Sequence, residues 1–329
     1  MIVALGAEPN SDLAARAGLI VSPGGGIVIN QRLQTSDPQI YAGGGCVDNL
    51  QIITGKPAYF PEPSLAHRQG RVIGTNIAGE FATFPGITGS FTFKVFDMAV
   101  AGTGLNLEAA RQEGLDADAA LVVQQDHAHY YPVQELIYLQ LVVDRKSRRL
   151  LGAQGVCHNG DALVGRINSI AALLPFKADL ADLANLEVAY APPFAAALDI
   201  VNAVANTLEN ILDGYNRTIE VADFEQCFLT DKAEDTICLD VRGAANAAPY
   251  VDLFGDRWLN IPQETLKDRF SDIPKDKRLL VVCNSGVRSY EALRQLETAG
   301  LGNAVNLQGG VAALKKSGLL AGGEEEGKN

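Results

Sequence analysis

The chain has no apolar run long enough to span a bilayer, and no basic lead of the kind that opens an export signal follows Met1. Neither a membrane anchor nor a secretory leader is expected. Positive charge is short as well. The 27 Lys and Arg against 39 Asp and Glu leave a net charge of -12, which excludes the basic face that nucleic acid or an anionic membrane requires. Histidine is scarce, with four in 329 residues. His127 and His129 lack a third ligand at metal spacing, and Cys157-His158 is no better placed, so a surface or strand pair is expected and no metal. The five cysteines are scattered and odd in number. They make no disulfide framework and point to a reducing, cytoplasmic setting.

What is present is ordinary globular material: 47% hydrophobic and 20% charged residues, enough for two or three domains. Met1–Gly6 is an apolar strand pattern with no polar lead, and it looks like the middle of a domain. The most informative stretch is LLVVCNSGVRSY, residues 279–290. Four apolar residues run into Cys283, a Gly-containing turn follows, and a helical pattern covers Ser289–Ala299. A buried strand that turns straight into a helix sets the sulfur at a helix N-terminus, where unpaired N–H groups and the positive end of the dipole favour an anion. The amides of Asn284, Ser285, Gly286, Val287 and Arg288 can curl round the sulfur as a nest, and Arg288 adds a fixed positive charge. This is the surrounding that makes a thiolate nucleophile. The competing reading is a structural cysteine at a strand end. Cys238, inside TICLDVR, reads as core, and Cys227 and Cys46 have no activating basic neighbour.

The Cys-x4-Arg loop CNSGVRS, with Asp240-Val241-Arg242 before it and Leu307-Gln308-Gly309-Gly310 after it, resembles the rhodanese, or sulfurtransferase, domain. The resemblance implies a persulfide on Cys283. Phosphatases with a related cradle use one more loop residue, and the shorter loop here fits sulfur. Asp240 and Arg242 would brace the loop. The His-x-x-Gly-Ala segment usual in that family is replaced by Tyr250–Pro262. Alternating strands (219–221, 236–241, 279–282, 304–307) and helices (222–229, 289–299) predict a parallel sheet with its site at the strands' carboxyl ends.

Upstream, residues 1–85 resemble the last part of the flavin domain of pyridine nucleotide-disulfide oxidoreductases. Ser11 would cap a short helix to Ala17, Gly24–Asn30 would be a hairpin strand, and LQTSDPQIYAGGGC, residues 33–46, would lead through a strand and a polar loop to a helix over Ser64–Ala78. In that family the motif T-S-x-P-x-I-Y-A-x-G-D closes the FAD site. The resemblance assigns cofactor contacts to Gly44, Gly45, Cys46, Leu65 and Ala66. Gly45 stands where the family has aspartate, which removes a charge-assisted bond of roughly 1.5–3 kcal/mol. The pyrophosphate-seating G-x-G-x-x-G and the NAD(P)H-binding domain have no counterpart in the sequence, so FAD is expected to be held weakly or not at all without a partner chain.

Residues 86–212 resemble the dimerisation domain of the same family. Strands are expected at 91–96, 98–103, 119–125, 136–144 and 149–156, and helices at 107–113, 161–174 and 201–212. HAHYYP (127–132), YAPPF (190–194) and Ala66-His67-Arg68 look like coenzyme A-disulfide reductases, the rhodanese-fused branch above all. The resemblance implies that His67, Tyr130 and Tyr190 contact coenzyme A, the tyrosines across a homodimer. Leu198 stands where some relatives carry a CoA-contacting lysine. Core aromatics are the competing reading of the two tyrosines.

The expected architecture is therefore α/β and α+β: a partial flavin-domain unit over 1–85, an α+β dimerisation domain over 86–212, a linker at 213–218, an α/β rhodanese-like domain with a parallel sheet over 219–320 and a disordered tail at 321–329. The family's redox cysteine has no match among the five, so no disulfide reduction is expected of this chain alone. The expected function is sulfur transfer through Cys283 from a sulfane-sulfur donor such as thiosulfate or a polysulfide to a thiol acceptor such as coenzyme A or glutathione. The alternative is a non-catalytic dimerisation half of a split FAD/NAD(P)H-dependent disulfide oxidoreductase, active only with an N-terminal partner.

Overall fold

The computed structural model describes residues 6–320, so the strand expected at the start of the chain and the tail expected to be disordered lie outside the described residues. The chain divides into two units, one up to Ser90 and one from Phe91 onward.

The first unit is held by short pieces. A one-turn helix α1 (Asp12–Arg16) begins without a side-chain cap from Ser11. A small hairpin pairs β1 (Asp48–Leu50) with β2 (Pro57–Tyr59), and helix α2 (Pro63–Ile77) starts on a proline at its first turn. The strands expected at 24–30 and within 33–46 are not regular strands. They are reduced to isolated bridges, Ile27 with Val21 and Val47, and Gln34 with Tyr41. No bridge extends into a ladder, and the chain packs Ile27 and Val47 into one small core and Leu33, Leu65, Phe84 and Ile87 into another.

The second unit contains two sheets. In the first, β3 (Phe91–Val95), β4 (Met98–Gly104), β5 (Ala117–Gln125), β6 (Leu136–Asp144) and β7 (Leu150–Cys157) lie antiparallel in the order β3-β4-β7-β6-β5. Helix α3 (Leu107–Gln112), capped by Asn106, crosses from β4 to β5. Helices α4 (Gly160–Leu173), α5 (Leu180–Ala184) and α6 (Ile200–Leu212) follow. Ile137, Leu139 and Leu141 of β6 are fully buried at alternate positions, while Tyr138 and Gln140 between them are half-buried. Gly155 shows why α4 comes close: a Cβ there would stand 2.7 Å from Leu163 of α4.

The second sheet is wholly parallel, in the order β10-β9-β11-β12-β8: β8 (Thr218–Ile219), β9 (Thr236–Asp240), β10 (Trp258–Asn260), β11 (Arg278–Val282) and β12 (Ala304–Leu307). Helices α7 (Val221–Phe224), α8 (Ala244–Phe254), α9 (Val287–Thr298) and α10 (Gly310–Lys316) connect and cover it. The helix expected over 222–229 is regular only to Phe224. Beyond it the coil widens over Glu225–Thr230, and Asp231 N–H donates to Gln226 O, five residues back. Two apolar clusters fill the faces of the sheet. Leu239, Val281 and Leu293 mark one, and Trp258, Phe228 and Leu280 mark the other. β11 is the central strand, with both neighbours parallel, and its carboxyl end opens onto Cys283.

Candidate functional site

Cys283 closes β11 and is 1% exposed. Because β11 is hydrogen-bonded on both sides, the chain can leave the sheet only by turning over its end, and Gly286 makes that turn. It is the N-cap of α9 at φ 99°, a conformation that an L side chain rarely adopts. Its N–H donates to Cys283 Sγ at 3.1 Å. The Ser289 hydroxyl, fully buried on the first turn of α9, donates to the same sulfur at 3.3 Å. Among the described residues, the N–H groups of Asn284, Ser285, Val287 and Arg288 donate to no protein acceptor. The loop therefore surrounds one sulfur atom with inward donors and unpaired amides, an arrangement suited to an anion.

Arg288 is half-buried, and among the described residues it has no carboxylate partner. It lies in the first turn of α9, which holds no acidic residue. A cation there opposes the helix dipole, so its position is one that an anion on the loop would compensate.

The loop is fixed from behind by β12 and α10. Val311 N–H donates to Cys283 O and Ala312 N–H to Asn284 O, each at 2.9 Å. The Asn306 side-chain amide donates to Gly286 O at 3.1 Å. Gly310 makes this approach possible, since a Cβ there would stand 2.5 Å from Cys283 O and 2.7 Å from Asn284 O. On the other side, Asp240 and Arg242 form a buried bidentate pair, with Trp258 Nε1 donating to Asp240 at 3.0 Å and the Arg242 guanidinium over Tyr250 at 5.0 Å. Burial, the largest single influence, opposes the charge on Arg242. The Asp240 hydrogen bonds and charge outweigh it and raise the pKa. This pair contacts the ends of β9 and β10 and not the sulfur.

The two tyrosines singled out by sequence are brought together. Tyr130 and Tyr190 are 64% and 50% exposed. A hydrogen bond that the Tyr190 hydroxyl donates to Tyr130 raises the Tyr190 pKa, with desolvation a smaller cause. Their loops meet at the backbone, where Ala128 N–H donates to Pro192 O at 3.1 Å. Arg166, which sequence reasoning missed, ties them. It is held by Asp199 and donates to Asp126 O at 3.2 Å and Phe194 O at 3.5 Å. His127 Nδ1 lies 2.6 Å from the fully buried Asp126 and its ring stacks on Tyr131, while His129 meets Tyr130 edge-on. Among the described residues no three His, Cys, Asp or Glu converge as a metal site.

In the first unit, His67 is exposed on α2, and Leu65 is buried against Leu33. Gly44 N–H is already taken by Gln69 Oε1 at 2.6 Å, Gly45 carries no side chain and Cys46 Sγ donates to Gly43 O. Glu62 caps α2 without a side-chain bond; Pro63 carries no N–H, and the Leu65 and Ala66 N–H groups already donate to Glu62 O. A flavin would find a helix end and a glycine turn here but no acidic partner at Gly45. The described residues do not compose an FAD site by themselves, and no step is derived through one.

Ser289, Asn306 and Arg166 were the neighbours of these residues not singled out from sequence, and Gly310 was named only as part of the motif after β12. Only Ser289 carried a local signal, as the residue next to Arg288 at a helix start.

Three family models match: pyridine nucleotide-disulphide oxidoreductase over residues 1–70, its dimerisation domain over 90–201 and a rhodanese-like domain over 232–317. Among curated proteins, the CoA-dependent NAD(P)H sulfur oxidoreductase of Pyrococcus furiosus is 36% identical over 209 residues, covering 64% of this chain and 47% of the relative. Coenzyme A disulfide reductase of Staphylococcus epidermidis is 30% identical, covering 62% of this chain and 46% of the relative. The chain spans about half the length of the curated relatives it matches. Among solved structures, an NAD-dependent persulfide reductase from A. fulgidus is similar at 39% identity and TM-score 0.85, covering 93% of this chain and 54% of that one. Reduced CoADR-RHD from Bacillus anthracis is similar at 31% identity and TM-score 0.83, covering 95% of this chain and 55% of that one. The chain belongs to the pyridine nucleotide-disulphide oxidoreductases and carries a carboxy-terminal rhodanese-like domain, and it is similar to coenzyme A-dependent sulfur and disulfide reductases.

Proposed function

We propose that the chain is a rhodanese-type sulfurtransferase in which Cys283 carries a persulfide. The observation that carries this reading is the sulfur enclosed by Gly286 N–H and Ser289 Oγ–H, with four further loop amides unpaired. In the first step the Cys283 thiolate attacks the outer sulfur of thiosulfate, the cysteinyl S–S bond forms, the donor's S–S bond breaks and sulfite leaves with the electron pair. The terminal persulfide sulfur is anionic. The amides of Asn284, Ser285, Val287 and Arg288, with the Arg288 guanidinium, are the groups that would hold it. In the second step an acceptor thiol attacks that terminal sulfur, the Cys283 thiolate is released and the acceptor leaves as a persulfide.

Coenzyme A is the acceptor we favour, because the relatives' names include CoA-dependent sulfur oxidoreductase and coenzyme A disulfide reductase. Tyr130, Tyr190 and His67 are its proposed contacts. The exposed tyrosine pair offers apolar rings with hydroxyls at their rim, suited to a pantetheine end. We propose a homodimer formed through the dimerisation domain. The second reading, a dimerisation half that works only with an FAD-bearing partner chain, rests on the incomplete flavin contacts at Gly44–Cys46.

A thiosulfate:cyanide sulfurtransferase assay on the wild type and Cys283→Ala tests the proposal. Turnover in the wild type that drops to background in the variant is expected. Equal background rates in both would reject it.

A further inference from the structure

Among the described residues β5 is the edge strand of the antiparallel sheet, paired only with β6, so its outward N–H and C=O groups need partners. At Leu121 and Ala119 the partner is a side chain from the other sheet. Leu121 N–H donates to Gln308 Oε1 at 2.6 Å, and Gln308 Nε2 lies 3.5 Å from Ala119 O and donates to Thr218 Oγ1 at 3.2 Å. One carboxamide thus satisfies the open edge as a neighbouring peptide group would, and it is 9% exposed. The residues that follow it are those that hold the cysteine loop. Gly309 approaches so closely that a Cβ would stand 3.1 Å from Leu121 and 3.2 Å from Val123. Val311 and Ala312 N–H groups then bond Cys283 O and Asn284 O. Tyr138 of β6 adds a second attachment, its hydroxyl 3.4 Å from Ala312 O.

We propose that Gln308 is a positioning residue through which the edge of the antiparallel sheet sets the shape of the Cys283 loop. It touches no reacting atom. It pins the Gly309–Ala312 segment to β5, and that segment fixes the carbonyls of Cys283 and Asn284, turning the loop amides inward. The kinetic consequence rests on the sulfurtransferase reading; the structural one does not.

The test uses the full chain with Gln308→Leu and Gln308→Glu. Gln308→Leu removes both edge bonds at similar volume. It should speed hydrogen exchange at the Val311 and Ala312 amides about tenfold, the size of one lost net hydrogen bond. It should also shift the pH profile of Cys283 alkylation by iodoacetamide and lower kcat for sulfur transfer by a similar factor. Gln308→Glu is isosteric but offers no donor to Ala119 O when ionised. Its exchange protection should be lost near about pH 8 and regained toward about pH 4, relative to wild type, as the carboxyl takes up a proton. Wild-type exchange and alkylation profiles in Gln308→Leu would overturn the proposal. If that variant does not fold, protection in Gln308→Glu that tracks wild type at both pH values would overturn it instead. A wild type that transfers no sulfur, with the exchange effects present, removes the sulfurtransferase reading and leaves the positioning role standing.

Discussion

Five cysteines share this chain, and their surroundings separate them. Cys157 is buried in β7, and burial pushes its thiol up to about 11, with nearby carboxylates adding to the effect. Cys238 is raised further in the same direction by burial, and Cys227 is raised by burial to a lesser degree. Cys283 is equally buried by area, yet its sulfur accepts two hydrogen bonds. For Cys157 the folded state holds the thiol proton more tightly than the unfolded chain. Its stabilising contribution is complete below the ordinary thiol value of about 9 and is lost as pH rises through about 11. Alkylation at about pH 8, mapped by peptide mass, should therefore modify Cys283 before Cys157, Cys227 and Cys238, with Cys157 becoming reactive only in strongly alkaline solution. Modification of Cys157 ahead of Cys283 would contradict this ordering.

At the scale of elements, what sequence made legible was whatever is local. β6 and β12 begin and end where the apolar pattern predicts, at Leu136–Asp144 and Ala304–Leu307. α9 begins two residues earlier than expected, at Val287, because the loop's last residues are already the first helical turn. That is how Ser289 comes to point at the sulfur. The segments at 24–30 and 33–46 misled because apolar, β-branched residues beside glycines read as strand, whereas they make only isolated bridges that do not extend into ladders. Gly310 was visible in sequence, but its reason was not. Its backbone lies against Cys283 O at a φ of 59°, a contact spanning two elements. Gly310→Ala should thus cost about 2–4 kcal/mol in urea unfolding, from combined left-handed strain and displacement of the loop carbonyls. It should also abolish sulfur transfer, whereas Gly302→Ala, where a Cβ meets nothing within 4 Å, should be near neutral.

At the scale of the whole molecule, the cysteine loop's geometry depends on parts far away in sequence. Its floor is β12 and α10, the Asp240–Arg242–Trp258 network ties the ends of the neighbouring strands, and Gln308 joins that floor to an antiparallel sheet 187 residues upstream. Motif spacing identified the loop because Cys, Gly and Arg must follow one another along the chain. It included Gln308 in the motif after β12 without showing its partners, and it missed Arg166, because those contacts are set by the packing of sheets and helices. The tyrosine loops depend in the same way on Arg166, on α4 between them in sequence, and on Asp199, which caps α6 beyond both.

The central claim is that one sulfur atom is taken up and held at Cys283. Intact-mass and peptide mass spectrometry of the full chain after brief exposure to thiosulfate tests it most directly. The account predicts a single added sulfur, located on the peptide containing Cys283, removed by a thiol such as coenzyme A and absent from Cys283→Ser. No added sulfur, or sulfur spread over the other cysteines and unchanged in Cys283→Ser, would contradict it.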